Sequence, residues 1–215
     1  MGMATVGNNS KIILAYDIES KRAFLDRGQQ AEDFEDQNPG ILYVDSWSDE
    51  NKVKAGVACL CVIEASNQIP PSVFIDENLK DAQVLFDQAA LLLTYNGMDY
   101  DNKVLAGHGL VIPAEKSLDL CKVITAALGR RRRVKLEDLA MANLGTGKSG
   151  KGALAPHWWQ GGHQARTVGY CLKDTWLLLK LYELALAQRY LLHPYEAGAH
   201  IRLQFNLLQQ AGLFV

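Results

Sequence analysis

The stretch Ile12-Ile13-Leu14-Ala15-Tyr16-Asp17-Ile18-Glu19 constrains this chain most, because apolar residues run directly into two carboxylates one residue apart. A short apolar run of this kind reads as a buried strand. Side chains alternate faces along a strand, so Asp17 and Glu19 share one face while Ile18 turns to the other. Like charges held that close are unfavourable unless they are solvated, share a proton or bind a cation. An acid pair at the exposed end of a buried strand suits a divalent metal with oxygen ligands. Taken alone, the same residues also fit a plain turn, with Asp17 capping the bend after the strand.

With 215 residues the chain can bury a sizeable core as one domain without disulfides. Its formal charge of -2 leaves no global basic field to advertise nucleic acid. Basic residues are concentrated locally instead. Arg130 to Arg133 and Lys135 form a run, and Lys148, Lys151 and Arg166 follow, a pattern that fits a phosphate-guiding patch or an ordinary solvated loop. Cys59, Cys61, Cys121 and Cys171 make no CxxC pair and lie among apolar residues, as buried thiols of a reducing cytoplasm do. Residues 1–10 read as a polar, flexible N-terminus without the layout of a signal peptide. No apolar run approaches the roughly 18 residues needed to cross a bilayer, so a cytoplasmic protein is expected.

Further along, residues 21–53 read as a loop or insertion, rich in Gln, Asp, Glu and Arg as far as Asn38-Pro39-Gly40, with a short strand over Ile41–Val44. Strands are expected over Lys54–Glu64 and Val73–Ile75, joined by short connections and therefore antiparallel. From Leu79 the pattern turns helical and leads into a buried strand, Leu91–Tyr95. Helices at Asp101–Leu110 and Lys135–Leu144 then flank a possible strand at Leu118–Leu120. This alternation implies parallel pairing in the second half. The longest helix is Ala165–Tyr190, and a period of two over residues 201–207 suggests a late edge strand in a C-terminal extension, 191–215. The expectation is an α/β fold with a mixed central sheet, antiparallel in its first three strands and parallel thereafter, flanked by helices.

Ala142 to Ser149 (ANLGTGKS) mimics a phosphate-binding loop, but that loop must follow a buried strand and open a helix. Here a helical segment precedes it, and Gly and Pro follow. Two other segments carry more. In Tyr95-Asn96-Gly97-Met98-Asp99-Tyr100-Asp101 a strand ends in a tight turn, and an aromatic-Asp pair opens a helix. In Tyr170-Cys171-Leu172-Lys173-Asp174 a hydroxyl and a carboxylate four residues apart share one helical face.

The order of these segments resembles the DEDD superfamily of 3′-5′ exonucleases, whose fold is ribonuclease H-like. Asp17-Ile18-Glu19 resembles its first motif, Asn96 with Tyr100-Asp101 its second, and Tyr170 with Asp174 its third. The tyrosine branch is the one matched, since the histidine branch places His where this chain has Gly169. The likeness covers about residues 11 to 190 and is nearest to relatives of the proofreading domain of family B DNA polymerases; the 21–53 insertion and the tail fall outside it.

The resemblance implies hydrolysis of phosphodiester bonds at 3′ ends of single-stranded nucleic acid, DNA rather than RNA, releasing nucleoside 5′-monophosphates. It further implies two Mg²⁺ or Mn²⁺ ions about 4 Å apart. Asp17 would bridge them, Glu19 and Asp174 would complete one site, and Asp101, preferred to Asp99, would support the other. Tyr170 would orient the attacking water, an ordinary phenol titrating near 10 being a poor base at neutral pH. Asn96 is expected at the substrate or in the turn. Arg131, Lys148 and Lys151 would form a phosphate-tracking rim, with Trp158 a stacking face or a packing residue. His157 and His163 lie in a Gly-rich loop without zinc-ligand spacing. Replication or repair proteins are the expected partners. The competing readings are an RNA exonuclease, a structure-specific nuclease of the same fold, and a nucleic-acid-binding module without catalysis.

Overall fold

In the computed structural model, which describes residues 11–129, 133–147, 150 and 152–203, the opening stretch forms strand β1 (Ile13–Ser20). After it come β2 (Ala23–Phe24), α1 (Ala31–Gln37), β3 (Tyr43–Val44), α2 (Asp49–Ala55), β4 (Val57–Glu64) and β5 (Ser72–Phe74). The chain continues with α3 (Ala82–Gln88), β6 (Leu91–Thr94), α4 (Asp101–Gly107), β7 (Ser117–Asp119), α5 (Leu120–Ala127) and α6 (Leu136–Leu144). It closes with α7 (Ala155–Gln160), α8 (Gln164–Gln188), β8 (Tyr190–Leu192) and β9 (His200–Arg202).

Five strands make one mixed sheet in the order β5-β4-β1-β6-β7. β4 is antiparallel to β1 and β5 to β4, whereas β6 pairs parallel with β1 and β7 with β6. The early strands follow from short connections and the later ones from helical crossovers. β1 lies in the middle with both faces covered, which is why it reads as an almost unbroken apolar run. Leu14, Tyr16 and Ile18 pack with Leu60, with Phe86 of α3 and with Leu105 of α4. Ala15 faces the opposite layer, where Leu93 meets Ile124, Leu139 and Leu178 of α5, α6 and α8. The period of two therefore carries Asp17 and Glu19 to the α8 side.

Residues 21–53 hold more structure than a loop. β2 and β3 form a two-residue parallel ladder, and Phe34 of α1 packs with Ala23 and Leu25 in a small core of their own. The strand expected over 41–44 thus shrinks to β3 and pairs outside the central sheet. The one expected from Lys54 begins at Val57, because α2 takes the preceding residues. Ser48 caps α2 by accepting from the Asn51 N–H at 3.2 Å, with Asp49 and Glu50 in the first turn and Lys52 and Lys54 in the last. Those are ordinary start and stop signals on a helix too short to show an apolar period.

α7 also forms where Gly and Pro suggested a loop, and His157 belongs to it. Pro156 falls in the first turn, where no N–H is needed. The alternation after 200 gives β9 up to Arg202, paired antiparallel with β8 in a separate hairpin; residues 204–207 lie outside the described ones, as do residues 1–10. α6 ends at Gly145, whose φ of 65° is left-handed, so the ANLGTGKS segment follows a helix rather than a strand. All four cysteines are buried free thiols. Among the described residues no helix is long and apolar enough to cross a membrane.

At the far end of β4 from the acids, Glu64 is buried and folds the chain back on itself. Burial pushes its carboxyl up, but the Ser66 hydroxyl and the N–H groups of Ser66, Gln68 and Ile69 outweigh this and hold it below the usual range. A depressed folded pKa means stability that is present above the unfolded value of about 4.3 and lost as pH falls through the folded one. Glu64→Gln is expected to flatten the acid limb of a Tm-against-pH curve in that window, and an unchanged limb would refute the assignment.

Candidate active site

Three elements bring the acids together. β1 supplies Asp17 and Glu19, and α8 supplies Asp174 one turn after Tyr170. Carboxylate oxygens of Asp17, Glu19 and Asp174 lie within 4.8 Å of one another, with Glu19 and Asp174 buried and Asp17 half-buried. Asp101, the first residue of α4, is also buried, and its Oδ1 accepts from the Ile18 N–H at 3.2 Å. That amide sits between the two acids of β1, so the fourth carboxylate closes on the same strand end.

The turn before α4 is built to place Asp101. Asn96 adopts a left-handed φ of 67°, which Asn tolerates better than most residues. Its N–H donates to Asp119 Oδ1 at 2.8 Å and the Met98 N–H to Asp119 Oδ2 at 3.3 Å, while Asp119 also caps α5. Gly97 is required by close approach. A Cβ there would come 1.9 Å from Thr94 Oγ1 and 2.7 Å from Asp101 Oδ2. From the opposite face of β1, the Tyr16 hydroxyl donates to Asn102 Oδ1 and pins the start of α4. Burial, reinforced by the Asp101 charge, pushes that hydroxyl far above the usual phenol range, so it stays a donor. Tyr100 is likewise pushed up, first by burial and also by the carboxylates of Asp101, Glu19 and Asp17.

Asp99 goes elsewhere. It pairs with Lys122 at 2.7 Å and with Arg133, and the Lys122 hydrogen bond holds it below the usual carboxylate range. Tyr170 is buried edge-on against Trp158, ring centroids 5.7 Å apart. A Cβ at Gly152 would meet the Tyr170 hydroxyl at 3.4 Å. Trp158 is only 8% exposed and has the Arg166 guanidinium 4.2 Å over its ring, so it supports Tyr170 and leaves little face for base stacking. Arg131, Lys148 and Lys151 lie outside the described residues.

Two clefts meet at Asn96 and Gly152. One, of about 400 Å³, is lined by Asp17, Asp174, Tyr170, Arg133 and Glu137. The other, of about 450 Å³, reaches from Glu19 to the 21–53 segment and its aromatic residues Phe24 and Trp47. No spacing in the sequence announces this second cleft. Behind the acids stands a further group that sequence spacing also hides: Cys59, Cys61 and Cys171, whose sulfurs lie within 4.8 Å of one another. Cys61 and Cys59 pair in register with Asp17 and Glu19, and Cys171 Sγ donates to the Asp17 carbonyl at 3.3 Å. Burial pushes the Cys171 thiol up, which keeps it a protonated donor that ties α8 to β1.

A scan against protein-family models gives no match, and a search of curated proteins gives none either. The site stands on its own geometry.

Proposed function

We propose that this chain is a metal-dependent 3′-5′ exonuclease that shortens single-stranded nucleic acid, DNA in the first place, releasing nucleoside 5′-monophosphates. The observation that carries the reading is the convergence of Asp17, Glu19 and Asp174 within 4.8 Å at the end of the central strand, with Asp101 hydrogen-bonded between the first two. The sheet order, with β1 between an antiparallel pair and a parallel pair, supports a ribonuclease H-like fold. Strand-end polarity comes from the likeness to the tyrosine branch of the DEDD exonucleases.

The donor set fits Mg²⁺ or Mn²⁺: all-oxygen, anionic and convergent. Bound there, two such ions supply the Lewis-acid charge that phosphodiester hydrolysis needs on the attacking and leaving oxygens. Asp17, Glu19 and Asp174 would hold them, and Asp101 would add its charge from the α4 side. Tyr170, on the same helical face as Asp174, orients a water by hydrogen bonding. Asp119, Gly97 and Tyr16 keep Asp101 in place.

The test is incubation of the full chain with 5′-labelled single-stranded DNA and RNA in Mg²⁺, Mn²⁺ or EDTA. A ladder shortening from the 3′ end, abolished by EDTA, is expected. Binding without cleavage in either metal would leave only the binding-module reading, and cuts within a circular strand would identify an endonuclease.

A further inference from the structure

Three of the chain's four cysteines meet at one point. Cys59 and Cys61 stand two residues apart on β4, so their side chains share a face. Their cross-strand partners are Glu19 and Asp17, which puts that face on the α8 side. Cys171 comes from α8, one residue after Tyr170. The crossing of α8 over the β1–β4 pair thus sets Asp174 on the acids and, three residues earlier, Cys171 on the thiols. In each group the ligand atoms lie within 4.8 Å of one another. Two neighbouring clusters of contrasting chemistry result, one hard and all-oxygen, the other soft and all-sulfur.

The sulfur cluster is closed. All three cysteines are 0% exposed, and Val73, Val168 and Leu172 pack around them. Cys171 Sγ approaches the Asp17 carbonyl at 3.3 Å, and Cys61 Sγ the Val168 carbonyl at 3.9 Å. A thiolate-bound metal lies about 2.3 Å from each sulfur, which puts the sulfurs about 4.0 Å apart around a trigonal centre and about 3.8 Å apart around a tetrahedral one. Sulfurs already within 4.8 Å of one another reach either arrangement by movements below about 1 Å. The apolar packing disfavours Mg²⁺, which gives up its waters reluctantly.

We propose that Cys59, Cys61 and Cys171 hold a single thiophilic cation, Zn²⁺ or Cu⁺, as a structural metal site behind the carboxylates. Thiolates select these ions over Mg²⁺ and Mn²⁺. Each metal–sulfur bond replaces an S–H bond whose proton leaves to solvent, so no oxidant or reductant takes part. Bound there, the ion fastens α8 to β4 in place of the contact between the Cys171 thiol and the Asp17 carbonyl. The helix that carries Tyr170 and Asp174 is thereby fixed against the sheet that carries Asp17 and Glu19. The site is independent of the nuclease reading and holds whatever the acids act on.

The test uses the full chain, purified under argon from cells grown with added zinc or copper salt and desalted in EDTA, which strips ions held by carboxylates. About one equivalent of metal per chain is expected to survive this step, and the growth medium that supplies it names the ion. X-ray absorption should show sulfur neighbours at about 2.3 Å. The loaded protein should melt on the order of 5 °C above protein from metal-depleted medium. Cys59→Ala, Cys61→Ala and Cys171→Ala should each lose the metal, whereas Cys121→Ala and Asp17→Asn should keep it, since neither side chain belongs to the cluster. No retained metal in the wild type, oxygen or nitrogen neighbours in place of sulfur, or undiminished retention in a folded Cys171→Ala would overturn the site. Loss of the metal in Asp17→Asn would also overturn it, by placing the ion on the carboxylates. The wild-type absorption spectrum decides even where a cysteine variant fails to fold, and none of these readouts depends on hydrolysis.

Discussion

Asp17→Ala is expected to lower kcat/KM on a labelled single-stranded oligonucleotide by on the order of a thousandfold, the several kcal/mol that metal-held charge contributes at the reacting oxygens. The fold should survive, because Asp17 pairs with Cys61 through its backbone and only the side chain reaches the carboxylate cluster. Removing one of three crowded anions also relieves their mutual repulsion. In EDTA the variant should therefore melt at or above the wild-type temperature. Adding Mg²⁺ should raise the wild-type Tm by mass action and the variant's much less. Activity within tenfold of wild type, or an equal Mg²⁺ shift, would sink the metal-site assignment.

Gly97→Ala is the second large effect, and it acts without removing a carboxylate. The new methyl would stand 1.9 Å from Thr94 Oγ1 and 2.7 Å from Asp101 Oδ2, both on buried side chains. Overpacking of this kind costs about 1–3 kcal/mol, and the displaced turn carries Asp101 away from the Ile18 N–H. Misplacement of a catalytic group by about 1 Å lowers rates on the order of a hundredfold. A modest fall in Tm with a hundredfold fall in kcat/KM is the expected pair of results. Loss of stability alone would show that Asp101 contributes nothing to the chemistry.

Much of this site was legible because its residues sit on elements with clear periods. The alternation in β1 put Asp17 and Glu19 on one face, and four-residue spacing put Tyr170 beside Asp174; both placements are those observed. Asp101 needed the turn. Asp101 lies against the Ile18 N–H at the strand end, while Asp99 is occupied by ion pairs with Lys122 and Arg133, distant in sequence. What stayed hidden was assembled by tertiary packing. Of the two short helices that begin in residues 21–53, α2 has a capping signal at Ser48 and α1 has none, and neither shows an apolar period, so a polar composition read as loop. Trp47 stacks on Phe24 where the β2–β3 ladder sets their stretches side by side, and Gln160 and His157, more than a hundred residues away, hold that segment against α7. The three sulfurs behind the acids likewise come from β4 and α8 and share no spacing.

The alternation along β1 also guards the folding of the molecule against error. The registers Asp17↔Cys61 and Glu19↔Cys59 hold both acids on the α8 side, with an irregularity in the ladder only after Glu19. Sliding β1 by one residue against β4 would turn every side chain to the opposite face. Both carboxylates would then enter the layer of Leu60, Phe86 and Leu105, at a cost of several kcal/mol for each ion. The same pair of charges that converges with Asp174 thereby penalises the misaligned sheet, so chains that fold with a buried, satisfied core are those in which the acids already face one another.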